Sequence, residues 1–226
     1  MYDVKGRRSF PKKSLYLVTD SSLCLGRSLA WVVEQAILGG VDIVQYREKN
    51  YNPIKHKQEL ALIQDICRNY GTLFIINDDL SLTLEINADG THIGQSDLDF
   101  LSARKILSPS KILGLSLESM DDLKTYFARM SSHPLDFKDK NLVDYFGVSP
   151  IFPTSTKLDT KKPWGLEGLQ EIRQATDMPL VAIGGIHLEN GASIIKAGAD
   201  SLAVVSAICS AKDPRLAATE LKQLLR

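Results

Sequence analysis

The sequence contains no long hydrophobic run, few cysteines and no excess of either charge. Its 226 residues include 27 basic and 27 acidic side chains, so it has no overall positive field to recruit nucleic acid or a membrane surface. The three cysteines, Cys24, Cys67 and Cys209, share no short spacing, which argues against a disulfide framework and against a zinc site. We expect them to be reduced thiols in a cytoplasmic protein.

The N-terminus carries no predicted targeting segment. It is basic, but the apolar stretch after it is only LYLV before Thr19, which is too short for the hydrophobic part of a signal peptide. No apolar run approaches the length of about 20 residues that a membrane-spanning helix needs. Residues 1–13 are therefore predicted to be a flexible lead-in. Residues 14–226 lack an internal linker rich in Pro, Gly or Ser and are predicted to form one domain.

Eight short β-rich segments alternate with segments of helical periodicity. They are SLYLVTD from Ser14, VDIVQYRE from Val41, TLFIIND from Thr72, GTHIGQ from Gly90, ILGLSL from Ile112, YFGVSPIF from Tyr145, LVAIGGI from Leu180 and SLAVVSAI from Ser201. This alternation favours an α/β fold with a single closed (β/α)8 TIM barrel over an open doubly wound sheet. No G-x-G-x-x-G follows the first strand, which further disfavours a dinucleotide-binding fold. The irregular segment 129–143 is predicted to be a surface excursion.

Polar residues follow nearly every predicted strand, at the end where TIM barrels carry their active sites. Gln45, Arg47 and Lys49 alternate along strand two, so an extended chain directs all three to one side. A charged side chain at a single strand end is as often a solvated surface group as a functional one. Polar groups recur at nearly every strand end around the barrel, however, and this recurrence favours an anion-binding site. The other strand-end groups are Asn77, Asp78, Asp79, Asp97, Ser116, Thr154, Ser155, Thr156, Lys157, Gly184, Gly185, Val205 and Ser206.

Asp78 and Asp97 are the predicted metal ligands. An aspartate at a strand end is by itself more often a cap or a turn residue. As a pair beside Arg47 and Lys49, however, the two carboxylates suit Mg²⁺, which prefers oxygen ligands and shares its shell with water and phosphate. We expect one Mg²⁺ in the site, with the cationic side chains neutralising the rest of a bound pyrophosphate.

The ends of strands seven and eight predict a second anion site. Loops at this position often hold a phosphate through backbone N–H groups and a helix N-terminus. Gly184 and Gly185 permit close approach of the backbone to a ligand, although a plain tight turn is the alternative reading. Together with Val205 and Ser206, they predict a monophosphate site beside the pyrophosphate site.

The remaining polar candidates carry less information. His92 lies within a predicted strand, where a lone histidine is more often packed and hydrogen-bonded than a metal ligand. Asp20 and Glu48 follow strands one and two, but the sequence gives them no distinct role.

These motifs resemble those of the thiamine phosphate synthase family over nearly the whole chain, from LYLVTD to SAKDP. The matching stretches are VQYREKN, IINDD, GTHIGQSDL, KILGLS, GVSPIFPTSTK, WGLEGL, VAIGGI and GADSLAVVSAI. The resemblance implies a transferase that joins 4-amino-2-methyl-5-hydroxymethylpyrimidine diphosphate to 4-methyl-5-(2-phosphoethyl)thiazole, or its carboxylated form, giving thiamine phosphate and pyrophosphate. The expected partners are these small molecules, with no nucleic acid and no membrane, and self-association into a homo-oligomer stays open.

The resemblance also implies roles for individual residues. It implies Mg²⁺ at Asp78 and Asp97. The implied catalytic residues are Lys157, Arg47, Lys49 and Ser116. The implied contacts of the pyrimidine diphosphate are Gln45, Tyr46, Arg47, Glu48, Lys49, Asn77, Ser116 and Lys157. Those of the thiazole phosphate are Thr154, Ser155, Thr156, Gly185, Val205 and Ser206.

Three positions depart from the family pattern without removing an implied ligand. Tyr46 stands where leucine is usual, Ser149 where glycine is commoner, and Asp79 where arginine or another residue is frequent. These departures bear on substrate fit or rate more than on the reaction.

Three other functions compete with the synthase reading. A thiazole tautomerase of the same superfamily would not need both aspartates and the full cationic cluster, which this sequence has. A Schiff-base aldolase would use Lys157, and borohydride trapping on that lysine would identify it. A non-catalytic phosphate-ligand sensor on a barrel scaffold is the third. The absence of an evident strong base or nucleophile fits the synthase, since the dissociative mechanism that the resemblance implies needs neither.

Overall fold

Eight parallel strands close into a barrel in chain order, as the sequence predicts. The computed structural model describes residues 10–48, 52–132, 142–154 and 162–226. The strands are β1 (Leu15–Val18), β2 (Ile43–Tyr46), β3 (Leu73–Asn77), β4 (Gly90–Ile93), β5 (Ile112–Leu117), β6 (Tyr145–Val148), β7 (Leu180–Ile183) and β8 (Ser201–Val204). The helices are α1 (Leu29–Leu38), α2 (Pro53–Tyr70), α3 (Leu80–Glu85), α4 (Phe100–Ile106), α5 (Met120–Ser132), α6 (Gly165–Ala175), α7 (Leu188–Lys196), α8 (Ser206–Cys209) and α9 (Pro214–Gln223).

Seven of the eight strands end earlier than the sequence predicts, and the difference is largest, at four residues, in β6 and β8. β6 stops at Val148, just before a cis Ser149–Pro150 bond, because proline has no N–H to continue the ladder. β8 stops at Val204, and the predicted last part of that strand begins the short helix α8 at Ser206. Thr154 therefore lies in the connection after β6, and Ser206 lies at the start of α8.

Side chains alternate between two apolar layers along every strand. One layer packs between the strands and the surrounding helices, and the other fills the barrel interior. The interior layer includes Tyr16, Ile75 and Tyr145, which are almost fully buried. A Cβ atom at Gly114 would collide with the ring of Tyr145. Glycine at this inward position thus makes room for an aromatic ring inside the barrel.

An aspartate precedes each even-numbered strand at the N-terminal end of the barrel. Each carboxylate accepts a hydrogen bond from the backbone N–H of the preceding strand. The four pairs are Asp42 with Leu15 (2.7 Å), Asp89 with Phe74 (2.9 Å), Asp144 with Leu113 (2.8 Å) and Asp200 with Leu180 (2.9 Å). Each aspartate also faces a cation, which is Lys222, Lys111, Arg104 and Arg173 in the same order. These four pairs tie neighbouring strands together away from the C-terminal mouth.

The pair between Arg104 and Asp144 is the most buried of the four. The side chains are 7% and 10% exposed, and Arg104 Nη2 lies 3.0 Å from Asp144 Oδ2. Arg104 also donates through Nε to the carbonyl of Leu142 (2.8 Å) and through Nη1 to that of Lys111 (2.9 Å). The guanidinium therefore holds α4 against the start of β6.

Replacing Asp144 with alanine is expected to lower the free energy of unfolding by about 3–5 kcal/mol, because it leaves the buried Arg104 charge without its partner. Urea denaturation followed by circular dichroism measures this loss. Asp121→Ala is the control, since it removes an ion pair to Lys124 whose side chains are 72% and 85% exposed. The control should change stability by about 1 kcal/mol or less. Equal losses in both variants would contradict the assigned role of the buried pair.

The described part of the predicted lead-in contacts the barrel. The ring of Phe10 stacks on that of Tyr145, with centroids 4.2 Å apart, and the backbone N–H of Lys13 donates to the carbonyl of Asp200 (2.8 Å). Residues 10–13 therefore lie at the N-terminal end of the barrel, and residues 1–9 are outside the described ranges.

The structure also bears on the cysteines and on membrane insertion. Cys24, Cys67 and Cys209 are buried free thiols, in agreement with the sequence analysis. Across the described ranges, no helix combines the length and the apolar character that crossing a membrane would require.

Candidate active site

A cavity of about 1200 Å³ opens at the C-terminal ends of the strands. It collects polar residues that are far apart in the sequence, because the ends of all parallel strands meet at one mouth. The predicted site residues that line it are Gln45, Arg47, Asn77, Asp78, Asp97, Ser116, Thr154, Gly184, Gly185, Val205 and Ser206. The structure thus brings most of the predicted constellation into one cavity.

Four predicted site residues fall outside the described ranges. They are Lys49, Ser155, Thr156 and Lys157. Thr154, which directly precedes three of them, lines the cavity.

The side chains of Tyr46 and Glu48 do not reach the cavity. Tyr46 alternates with Gln45 and Arg47, so its ring is buried between barrel and helices, where its hydroxyl donates to Glu59 Oε1 on α2 (3.5 Å). Glu48 instead accepts hydrogen bonds from Ser21, at 3.0 Å from N–H and 2.8 Å from Oγ. Position 46 therefore belongs to the outer apolar layer, so the tyrosine expected to depart from the family pattern does not change the cavity wall.

Asp20 and Asp79 serve as caps. Asp20 accepts from the N–H of Ser22 (3.1 Å) at a short 3-10 turn. Asp79 accepts from the N–H of Leu82 (2.8 Å) at the start of α3. The departure at position 79 therefore provides a helix N-cap next to the site.

Arg47 is held at the mouth by its backbone. Its N–H donates to Oγ1 of the buried Thr19 (2.9 Å), and that hydroxyl is 3.4 Å from the Arg47 carbonyl. This contact joins the ends of β1 and β2. Both residues line the cavity, where the positive charge of Arg47 opposes part of the rise in the pKa of Asp78 that burial and Asp97 cause.

The carboxyl groups of Asp78 and Asp97 lie close enough together for Asp97 to raise the pKa of Asp78. Asp78 has a φ of +62° and is fixed by its N–H, which donates to the carbonyl of His92 (2.8 Å). Asn77 Nδ2 lies 2.5 Å from Asp78 Oδ2, and the N–H of Gly94 donates to Asp97 Oδ2 (2.7 Å). Burial first, and then the neighbouring Asp97, raise the pKa of Asp78 to about 7. The site between the two carboxyl groups therefore suits a proton or a cation.

The donor set at this pair fits Mg²⁺. In the described ranges, no group of three or more His, Cys, Asp or Glu side chains is placed to hold a metal. The protein would then supply two carboxylates, and water and substrate oxygens would complete the shell. This division is the usual one for Mg²⁺ bound with a phosphorylated substrate.

The turn after β7 forms another part of the cavity wall. Gly184 and Gly185 have φ angles of +101° and +65°, which residues other than glycine rarely adopt. A Cβ atom at Gly185 would lie 2.8 Å from Phe152 Cβ and 2.9 Å from the Pro153 carbonyl oxygen. Asn190 Nδ2 donates to the Gly185 carbonyl (2.8 Å) and fixes the turn. The turn therefore packs directly against the connection that leads to Thr154.

The barrel interior adds three residues that the site prediction missed. Tyr16, His92 and Tyr145 line the cavity together with Ser116. His92 is hydrogen-bonded, as the sequence analysis expects, with Nε2 at 2.9 Å from Ser116 Oγ and Nδ1 at 2.9 Å from the Tyr145 hydroxyl. Alternation within the strands could have identified all three, because they share the inward phase of their strands. Of the other cavity residues, Gln95 lies in the connection after β4 and Asn190 lies in the first turn of α7, so neither carries this signal.

Comparison with known sequences identifies a family. A profile described as thiamine monophosphate synthase matches residues 15–208. The thiamine-phosphate synthase of Albidiferax ferrireducens is 47% identical over 211 residues, which cover 93% of this chain and 91% of that protein. The thiamine-phosphate synthase of Leptospira biflexa is 44% identical over 212 residues, covering 93% and 96%.

Solved structures agree with this similarity. The thiamine phosphate pyrophosphorylase of Pyrococcus furiosus superposes with a TM-score of 0.78 at 31% identity, covering 95% of this chain and 96% of that one. A 3-hexulose-6-phosphate synthase superposes with a TM-score of 0.61 at 18% identity, a likeness that concerns the fold alone.

Proposed function

The chain belongs to the thiamine monophosphate synthase family, and from that premise we propose how its cavity receives two substrates. The enzyme is a transferase that joins the methylene carbon of 4-amino-2-methyl-5-hydroxymethylpyrimidine diphosphate to the nitrogen of 4-methyl-5-(2-phosphoethyl)thiazole. The products are thiamine phosphate and pyrophosphate. With the carboxylated form of the thiazole, carbon dioxide is a further product.

The pyrimidine diphosphate occupies the side of the cavity formed by the ends of β2 to β5. Arg47 and the amide of Asn77 face this space, and Asp78 and Asp97 would hold Mg²⁺ there. Ser116 lies on the same wall at β5, and Gln45 lies deeper, at 4% exposure. The proposal adds Lys49 and Lys157, from outside the described ranges, as further cations for the diphosphate. Their positive charges offset the charge that a single divalent cation leaves.

The thiazole phosphate occupies the side formed by the ends of β6 to β8. Support comes from the backbone of the Gly184–Gly185 turn and from Thr154, Val205 and Ser206, all of which line the cavity. Hydroxyl and backbone N–H donors suit a phosphate monoester. Ser155 and Thr156, outside the described ranges, belong to the same proposal.

The reaction requires a leaving group and a placed nucleophile. The C–O bond between the methylene carbon and the diphosphate breaks, and its electron pair leaves with pyrophosphate. The aminopyrimidine ring stabilises the cation that results, and the lone pair of the thiazole nitrogen then forms the new C–N bond. Mg²⁺, when bound, neutralises part of the charge that develops on pyrophosphate. Arg47 and Lys157 provide further neutralisation as that charge develops.

Placement of the two substrates contributes the rest. The fixed strand ends hold one substrate against the other in a single cavity, which converts an encounter in solution into a reaction between neighbouring groups. No side chain has to abstract a proton or form a covalent bond. The site accordingly combines cations, carboxylates and hydroxyls.

One observation carries this assignment: the neighbouring carboxyl groups of Asp78 and Asp97, with Arg47, line the same cavity as the Gly184–Gly185 turn. Purified protein mixed with both substrates and Mg²⁺ should produce thiamine phosphate and pyrophosphate in equal amounts, measured by liquid chromatography. Binding of either substrate without product formation would contradict the proposal and favour a sensor. Isomerisation of the thiazole alone would favour a tautomerase.

Asp78→Asn and Asp97→Asn are each expected to raise the Mg²⁺ concentration needed for half-maximal activity by about tenfold or more, because each removes one of two charged oxygen ligands. Steady-state rates across a Mg²⁺ titration measure this change. Asp79→Asn is the matched control, since it removes the same charge one residue away and asparagine preserves the helix cap. An unchanged Mg²⁺ requirement in both site variants would disprove the metal assignment.

The proposal includes a cytoplasmic location. Its support is chemical, since the three cysteines are free thiols, a state that a reducing compartment maintains.

A further inference from the structure

A chain of hydrogen bonds crosses the barrel interior and ends at Ser116. Gln45 Nε2 donates to the Tyr16 hydroxyl (2.9 Å), which lies 2.9 Å from the Tyr145 hydroxyl. The Tyr145 hydroxyl lies 2.9 Å from His92 Nδ1, and His92 Nε2 lies 2.9 Å from Ser116 Oγ. The five side chains, which we call the interior chain, come from five different strands.

The amide at one end of the interior chain gives it a direction. Gln45 Nε2 can only donate, so the Tyr16 oxygen is the acceptor of that bond. A buried hydroxyl proton needs an acceptor. Among the described residues, the acceptor within hydrogen-bond distance of the Tyr16 proton is the Tyr145 oxygen. Burial raises the pKa of both phenols, so each keeps its one proton.

The direction then continues to Ser116. Because the Tyr145 oxygen accepts from Tyr16, its own proton is donated to His92 Nδ1. A ring nitrogen that accepts is unprotonated, so His92 carries its proton on Nε2 and donates it to Ser116 Oγ. The Ser116 proton is then free to turn into the cavity, whose wall the residue forms.

We propose that Tyr145 is a positioning residue: it fixes His92 in the Nε2-protonated form and thereby makes the Ser116 hydroxyl a hydrogen-bond donor to the substrate. This inference rests on the proposed function, because the substrate on that wall is the pyrimidine diphosphate. It also sets the chemistry of the group that Ser116 meets. That group is an acceptor, either a ring nitrogen or a diphosphate oxygen, and not the exocyclic amine.

The tautomer of His92 tests the direction without any substrate. Nitrogen-15 NMR of the histidine side chains in the whole protein should show His92 protonated on Nε2 alone. In Tyr145→Phe, where the ring still stacks on Phe10 but the donor to Nδ1 is gone, the other tautomer should become populated. An Nδ1-protonated His92 in the unmodified protein would overturn the inference. The NMR measurement needs no substrate and no activity. It therefore tests the His92 tautomer even if the protein makes no thiamine phosphate, and a failure of this inference can be distinguished from a failure of the proposed function.

A double-mutant cycle tests the route through Ser116. Tyr145→Phe should lower kcat/KM for the pyrimidine diphosphate about tenfold, roughly the effect of one lost hydrogen bond to a buried group. The same change made in Ser116→Ala should cost less than about twofold, because the residue through which Tyr145 acts is already absent. Additive losses in the cycle would overturn the inference, since they would show that Tyr145 acts independently of Ser116.

Tyr126→Phe is the control for removing a buried hydroxyl. Tyr126 packs against Phe146 in the outer layer, with its ring centroid 5.0 Å from that of Phe146. Its hydroxyl has no part in the interior chain. Tyr126→Phe should leave kcat/KM and the His92 signals unchanged. A loss of kcat/KM equal to that in Tyr145→Phe would show a general packing effect and would also overturn the inference.

Discussion

Replacing Lys157 with alanine is expected to slow the bond-breaking step by on the order of 10²-fold or more, by analogy with the loss of a transition-state hydrogen-bond donor. The family resemblance implies this lysine at the diphosphate, and Thr154, three residues earlier, lines the cavity. A cation aimed at the leaving group stabilises it most when the negative charge has moved there. The chemical rate should therefore fall more than the affinity for the pyrimidine diphosphate.

Single-turnover kinetics with saturating pyrimidine diphosphate separates these two effects. Lys162→Ala is the matched control, because Lys162 is exposed and does not line the cavity, so its loss should leave the rate unchanged. Lys157→Arg keeps a positive charge and should recover part of the loss. A raised KM with an unchanged chemical rate would contradict the catalytic role.

Gly185→Val is expected to weaken thiazole phosphate binding strongly and to leave pyrimidine diphosphate affinity within about threefold, which is less than 1 kcal/mol. Valine disfavours the φ of +65°, and its Cβ would press on Phe152 and Pro153. Displacement of this connection disturbs Thr154, on the thiazole side of the cavity. The contacts proposed at Arg47 and Asp78 belong to other strands.

Gly71→Val controls for backbone strain in this experiment. Gly71 has a similar φ of +72°, but a Cβ there would meet nothing within 4 Å, and the residue does not line the cavity. The Gly71→Val variant should therefore be less stable than the unmodified protein but should bind both ligands with unchanged affinity. Titration calorimetry with each ligand separately measures the affinities, and circular dichroism checks the fold. An equal loss for both ligands in Gly185→Val would mean one shared anion site or a distorted barrel.

The sequence predicted the barrel well because each strand has a strong local signal. Runs such as LYLV and LFII are buried on both faces, as parallel strands are, and side-chain caps at Ser28, Asp79 and Asp99 begin α1, α3 and α4. The strand ends were less accurate because they depend on local backbone features. β6 ends before Pro150, which has no N–H to continue the ladder, and β8 ends before the bend of the backbone at Val205 that precedes α8.

The site residues that directly follow strands could be predicted from the sequence. Prediction was poorer where a residue's role depends on how deep it lies in the barrel, or on whether its side chain points inward or outward. Asp78, Asp97 and Gly185 follow the rule that strand ends meet at one mouth. Tyr46 was assigned by its place in a motif, although strict alternation sends its ring to the outer layer. Tyr145 was missed because it begins its strand, far from the mouth along the chain, and contacts His92 only through the closed barrel interior.

Titration of thiazole phosphate into protein saturated with Mg²⁺ and pyrophosphate tests the two-site cavity most directly, since this pair cannot react. If the two anions bind at separate ends, the Kd for thiazole phosphate should stay within about threefold of its value without pyrophosphate, a change below 1 kcal/mol. Competition, seen as a Kd that rises in proportion to the pyrophosphate concentration, would contradict separate sites.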